Sequence, residues 1–297
     1  MSEFDVIDGI VARLGAATDA PWVSVGPGDD AAVTSVPPGQ DLVSSVDSLL
    51  ADVHFPAEAP ADLIGYRSMM VSLSDLAAMG AKPAWVLVSL CLPNANQAWI
   101  DAFASGVADA AHDADVAVVG GNVAAGPLNV TVSVHGFVPS GEALLRTGAQ
   151  PGDAICLSGP VGGAASALNR VDLAASVRTT LEGCARAYWL PQPPFELAVS
   201  LRTHASSCID VSDGLLQDLG HVCRASLVGA NLSSESVPLA EGAELRDGLC
   251  GGDDYVLCFT TGDPQFAKAH LVFGEVIAGE GIWLDGKPAD ASGYQHF

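Results

Sequence analysis

Apolar positions recur along the chain in two rhythms. Val130–Val138 reads VTVSVHGFV, an alternation that suits a half-buried strand. Leu42–Val46, Trp85–Leu92 and Val116–Val119 are also strand-like. Ala61–Met79 follows a proline and stops at Gly80, the start and stop of a helix. Asn96–His112 predicts another. Strands alternating with helices argue for an α/β or α+β layered architecture. Near Pro139 the pattern breaks into PSGEALLRTGAQPGD, a polar stretch rich in Gly and Pro that reads as a linker or crossover. A second series follows. DAICLSG is strand-like, PVGGAASAL a turn and helix, 194–205 a helix, SSCIDVS a strand and DGLLQDLGHVCRAS a helix, with ANLSSESV and DYVLCFT strand-like again. The 297 residues therefore predict two α/β domains, at 1–138 and 139–297. The clean apolar stretches, at about eight residues, are too short to span a bilayer. The N-terminus lacks a basic segment followed by an apolar one, so no signal peptide is expected.

Charge narrows the function. Lys and Arg total 12 against 35 Asp and Glu, a formal net charge of −23. A nucleic-acid or anionic-membrane binder needs the opposite footprint. Lys82, Lys268 and Lys287 are the only lysines, so an anionic ligand would have to be neutralised by something else. The seven cysteines are odd in number and none has C-x-x-C spacing. They read as reduced, buried thiols of a cytoplasmic protein.

The acids recur at strand ends and in Gly-rich turns. Five places stand out: GPGDDAAV (Asp29, Asp30), SSVDSLLADVHF (Asp47, Asp52), SLSDLAAMG (Asp75), CIDVSDG (Asp210, Asp213) and CGGDDYVL (Asp253, Asp254). A charge abutting an apolar stretch costs free energy unless paired or bound to a cation. Twelve basic residues do not suffice for all of them, and hard divalent cations with oxygen ligands would resolve the surplus. Singly, each has an ordinary reading: Asp47 as a turn cap, Asp75 as a solvated helix position, Asp213 as a helix N-cap. GPGDDAAV is equally an ordinary Asp/Gly turn or a backbone cradle for phosphate oxygens with a cation between. SGPVGGAAS, at 158–166, either packs tightly or receives an anion at a helix N-terminus. No P-loop, protein-kinase set, dinucleotide fingerprint, nucleophile elbow or zinc cluster is visible. His54 stands out for its acidic setting, whereas His135 reads as a packing residue.

GPGDDAAV, SVDSLLADVHFP, SLSDLAAMGAKPAW, VVGGN, HGFV, LLRTGAQPGD, CIDVSDGL and GGDDYVLCFT resemble, in order and spacing, the thiamine-monophosphate kinase family. That family belongs to the superfamily of aminoimidazole ribonucleotide synthetase and selenophosphate synthetase. The resemblance implies a two-domain synthetase-like fold. An N-terminal sheet domain binds ATP and Mg²⁺ and forms a homodimer; a C-terminal α/β domain closes the active site. It implies transfer of the ATP γ-phosphoryl group to thiamine monophosphate. By motif, Asp30, Ser45, Val46, Asp47, Asp75, Asn122, Asp210 and Asp213 correspond to metal positions, with Asp30, Asp210 and Asp213 the catalytic set. Gly121, in what reads as a Gly-Gly turn, and Asn122, Arg146 and Ser212 correspond to nucleotide contacts. His54, Asp253 and Phe297 correspond to thiamine-phosphate contacts. Three positions depart from the family pattern. Asn122 stands where an Asp is usual, Asp253 where a Glu is usual, and Val46 where a hydroxyl residue is usual, leaving only its backbone carbonyl as a ligand.

The chemistry suits the residues. ATP carries about −4 and a phosphate monoester about −2 near neutral pH, so their approach needs cations. Phosphoryl transfer then depends on positioning and electrostatics. The acceptor oxygen is already anionic, so direct transfer needs neither a strong base nor a phosphoenzyme. The departures keep two alternatives open: a superfamily synthetase or ligase with another acceptor, and a non-catalytic nucleotide-binding homologue.

Overall fold

The computed structural model describes residues 3–290 together with 293 and 294. The chain forms two compact units. One holds the chain up to Leu76, Lys82–Gly141 and Asp172–Leu181; the other holds Ala77–Ala81, Glu142–Val171 and the chain from Glu182.

The first unit runs α1 (Glu3–Leu14), β1 (Val23–Val25), β2 (Val33–Thr34), β3 (Gln40–Leu50), α2 (Ala61–Ala78), β4 (Lys82–Leu92), α3 (Gln97–Asp113), β5 (Ala117–Ala125) and β6 (Asn129–Pro139). Four of the strands form a sheet in the order β3-β6-β4-β5. β6 pairs antiparallel with β3 along its whole length, from Gln40 opposite Pro139 to Leu50 opposite Asn129. The alternation in β6 decides the faces. Val130, Val132 and Val134 are fully buried, whereas Thr131, Ser133 and His135 point the other way. α2 is buried nearly all round, with Leu63, Ile64, Met69, Leu73 and Leu76 fully buried and Arg67, Ser68, Ser72 and Ser74 buried among them. Asn96 caps α3, its side chain accepting from the Trp99 amide. Lys82 extends β4 at one end, and Gly120 and Gly121 lie inside β5. The Gly-Gly pair is therefore strand, not turn. Gly121 pairs with Val88 across the parallel β4–β5 ladder, where a Cβ would lie 1.9 Å from the Val88 carbonyl oxygen. Close approach of two backbones is what requires glycine here.

The second unit runs β7 (Ala154–Leu157), α4 (Gly163–Arg170), α5 (Gly183–Trp189), α6 (Phe195–Leu201), β8 (Ser207–Asp210), α7 (Leu215–Ser226), β9 (Gly229–Leu232), α8 (Leu245–Cys250), β10 (Leu257–Thr261), α9 (Pro264–Ala267), β11 (Leu271–Ile277), β12 (Gly281–Leu284) and β13 (Lys287–Ala289). Its seven-stranded sheet has the order β13-β12-β9-β11-β7-β10-β8. Both faces are covered, so β7 is apolar at every position and β10 is buried throughout, Thr260 and Thr261 included. Ile155, Leu157, Ile209 and Cys258 pack with Leu215, Leu219 and Val222 of α7. Cys156, Cys208, Leu257 and Phe259 pack on the opposite face with Ala198 and Leu201 of α6. All seven cysteines are free thiols, and Cys156, Cys208, Cys223 and Cys258 are buried. No helix among the described residues is long and apolar enough to cross a membrane.

Candidate active site

In the first unit the site is built on β3 and α2. Ser45 lies opposite Val134 and Asp47 opposite Val132, so both project from the buried face of the sheet. There Ser45 Oγ donates to Asp75 Oδ2 of α2 at 2.5 Å. Burial, and then the charge of Asp75, push the Asp47 carboxyl up to about 6. Two carboxylates and a hydroxyl thus share one side of the strand, and their oxygen-only donor set fits a hard divalent cation. Val46 points to the opposite face and is 61% exposed. The next turn is tight. His54 Nδ1 accepts from the Leu50 amide at 3.0 Å, so its proton sits on Nε2.

A second group surrounds a cleft of about 990 Å³ lined by Gly28, Asp29, Asp30, Ser89, Gly121, Asn122, Thr131, Ser133 and His135, among others. Asp29 and Asp30 are exposed, and Asp29 Oδ1 accepts from the Asp30 amide at 2.9 Å. Asn122 pairs with Ser89, and Ser89 with Thr131. Register therefore places Asn122 on the face of the sheet opposite Asp47. His135 stacks on Trp85 with ring centroids 5.3 Å apart and hydrogen-bonds Ser44 at 2.9 Å and Ser133 at 3.2 Å.

In the second unit, β8 ends at the buried Asp210. The segment that follows is held by Asp218, whose Oδ2 accepts from the amides of Ser212, Asp213 and Gly214 at 3.0, 3.1 and 3.1 Å. Asp213 is therefore not the helix cap; its carboxylate accepts from Gln217 Nε2 at 3.0 Å. The neighbouring loop is strained. Asp253 (φ 63°) and Tyr255 (φ 52°) both lie in the left-handed region. Backbone bonds hold them there: Asp253 N to Ser212 O at 2.8 Å, and Tyr255 N to Val211 O at 2.9 Å. Tyr255 Oη donates to Asp253 Oδ1 at 2.9 Å. The anion at the N-terminus of α4 is the protein's own: Asp254 accepts from Gly162 N at 2.8 and 2.9 Å. Burial pushes Asp218 and Asp254 up to about 7, with Asp213 adding to the first and Asp253 to the second, against the pull of the amides. Arg146 is exposed. Its charge, after burial and Arg224, lowers the His221 pKa while Asp213 raises it, so Arg146 and Asp213 share a neighbourhood. Phe297 lies outside the described residues.

The structure thus groups Ser45, Asp47 and Asp75; Asp30, Gly121 and Asn122; and Ser212, Asp213 and Asp253. Among the described residues no three His, Cys, Asp or Glu side chains form a ready metal cluster. The ion pairs Lys82–Asp115, Arg170–Glu244, Arg178–Asp109 and Arg202–Glu142 lie elsewhere. Sequence reasoning missed Asp218, Gln217, His221 and Tyr255. An acid in the first turn of the helix after CIDVSDG was the available signal for Asp218.

Residues 28–138 match the family model for the AIR synthase related protein, N-terminal domain. The chain is 39% identical to the thiamine-monophosphate kinase of Escherichia coli K12, over 93% of this chain and 92% of that protein. The chain belongs to the thiamine-monophosphate kinase family. The Caulobacter vibrioides thiamine-monophosphate kinase is 34% identical over 95% of this chain and 86% of its own length. Among solved structures, thiamine-monophosphate kinase from Stenotrophomonas maltophilia superposes with a TM-score of 0.87 at 38% identity, covering 97% of this chain and 98% of that one. AaThiL complexed with AMPPCP and TMP superposes with a TM-score of 0.81 at 26% identity, covering 99% and 97%.

Proposed function

We propose that this member of the thiamine-monophosphate kinase family transfers the γ-phosphoryl group of ATP to thiamine monophosphate, giving thiamine diphosphate and ADP. The observation that carries the reading is near full-length identity of 39% to a curated thiamine-monophosphate kinase. A fold match to a relative complexed with AMPPCP, an ATP analogue, and TMP supports the same substrates.

Two anions must meet on a protein of net charge −23. Mg²⁺ would supply the positive charge between the phosphates and orient both for in-line transfer. Ser45, Asp47 and Asp75 would hold such an ion, as would Asp210 with Asp213, and Asp30 with the amide oxygen of Asn122. Val46 would offer only its backbone carbonyl. By motif, Gly121, Arg146 and Ser212 would contact the nucleotide, and His54, Asp253 and Phe297 would contact the thiamine phosphate. The acceptor is a phosphate oxygen, so the residues bind and align rather than remove a proton. The first domain, 1–138, would carry ATP, Mg²⁺ and the homodimer contact, in the cytoplasm.

The test is ADP formation by the purified chain with ATP and Mg²⁺, with and without thiamine monophosphate. Thiamine diphosphate should appear in step with ADP. ADP release unaffected by thiamine monophosphate would refute the reading. Turnover of a different acceptor would favour a superfamily synthetase, and binding of Mg-ATP without turnover a non-catalytic homologue.

A further inference from the structure

We propose that Asp218 is a positioning residue: it binds no substrate, but sets the backbone of 212–214 and, through it, the groups assigned to phosphate chemistry. The inference rests on the kinase reading above for its consequence, though not for its geometry. Asp218 is 3% exposed. Three successive amides, Ser212, Asp213 and Gly214, converge on its single Oδ2. Consecutive amides turned to one point form a concavity of the kind that receives anions, and here a side chain four residues beyond Gly214 fills it. Gly214, at φ 130°, supplies the turn that most residues do not adopt.

The hold extends beyond the three residues. The carbonyl of Ser212 receives the Asp253 amide, that of Val211 the Tyr255 amide, and that of Asp213 the Tyr294 amide. Turning the 211–214 peptides away from Asp218 would therefore release the loop bearing Asp253 as well. Nothing else on α7 replaces this anchor: Gln217 is engaged with the Asp213 carboxylate and the Tyr294 carbonyl.

The three bonds end on one oxygen, which separates positioning from direct ligation. Asp218→Asn keeps a carbonyl acceptor for the amides and removes the charge; Asp218→Ala removes both. Amide hydrogen exchange of the peptide spanning 210–217, measured on the ligand-free protein, reads the hold directly. Steady-state kinetics with ATP, Mg²⁺ and thiamine monophosphate read its consequence. In Asp218→Ala, exchange at 212–214 should quicken at least about tenfold, and kcat/KM should fall about 10- to 100-fold, as for other outer supports of a metal site. Asp218→Asn should keep the amides protected and recover most of that activity. Activity as low in Asp218→Asn as in Asp218→Ala, with the amides still protected, would overturn the proposal in favour of a charge or ligand role. Wild-type exchange in Asp218→Ala would overturn it too. If Asp218→Ala does not fold, Asp218→Asn decides alone: protected and active supports the proposal, protected and inactive overturns it. A wild-type protein without thiamine-monophosphate-dependent ADP formation would refute the kinase reading, while the exchange arm still tests the anchor.

Discussion

Replacing Asp47 with Asn removes one of two carboxylates held on the same side of β3, and its effect on stability has a sign that depends on pH. Burial and Asp75 raise the Asp47 carboxyl from 3.8 to about 6. The unfolded chain therefore gives up this proton near 3.8 and the folded chain only near 6. The stability contributed by the held proton is full below the lower value and lost as pH rises through the upper one. A shift of about 2 units at 1.36 kcal/mol each gives a ceiling of about 3 kcal/mol, less where water reaches the half-buried side chain. Asn stays neutral throughout, so Asp47→Asn should exceed the wild type by about 2 kcal/mol near pH 7.5 in chelator, and differ little near pH 3. Asp218 and Asp254 titrate with the same sign, so the difference between the two proteins is the quantity to read. Urea unfolding at several pH values measures it. A cation held by Asp47 and Asp75 reverses the balance, because it stabilises the wild type more than the variant. Mg²⁺ at neutral pH should therefore close the gap. A gap independent of pH, or equal stabilisation of both proteins by Mg²⁺, would refute the reasoning.

Gly121→Ala should unfold at markedly lower urea. Its Cβ would meet the Val88 oxygen at 1.9 Å and the Val88 carbonyl carbon at 2.8 Å. Relief parts the strands by more than about an ångström, at a cost of about 3–5 kcal/mol in ladder bonds and overpacking. Unchanged stability with weakened nucleotide binding would make Gly121 a ligand contact rather than a packing position. Tyr255→Phe removes the hydroxyl that holds Asp253 Oδ1; at about 1 kcal/mol for one hydrogen bond, KM for thiamine monophosphate should rise about fivefold with kcat little changed. An unaltered KM would remove Asp253 from substrate binding.

The parts of the fold that were legible are those whose cause is local. VTVSVHGFV announced β6 because a half-buried strand needs alternation; the helix expected at Asn96–His112 forms as Gln97–Asp113, with Asn96 as its cap rather than its first residue. The contents of the site depended on contacts that sequence spacing does not encode. Asp47 and Asp75 meet because α2 lies against β3, and nothing in either segment names the other. The Gly-Gly pair read as a turn because glycine is common in turns. Its reason is the Val88 carbonyl on another strand. Val46 differs from its neighbours only in the parity of β3, which turns its side chain to the open face.

The surplus of acids likewise divides by partner rather than by motif. In GGDDYVL the two aspartates look equivalent, yet Asp254 gives both oxygens to the Gly162 amide while Asp253 is displayed by a strained backbone next to Ser212. In CIDVSDGLLQD the roles separate in the same way: Asp218 takes three amides and Asp213 takes a side-chain amide. A carboxylate saturated by backbone donors is already compensated and has little call for a cation. One facing another acid, as Asp47 faces Asp75, is not. The structure thus separates Asp218 and Asp254, held by backbone amides, from Asp47 and Asp75, which face one another, and it is the second pair that the family resemblance assigns to metal.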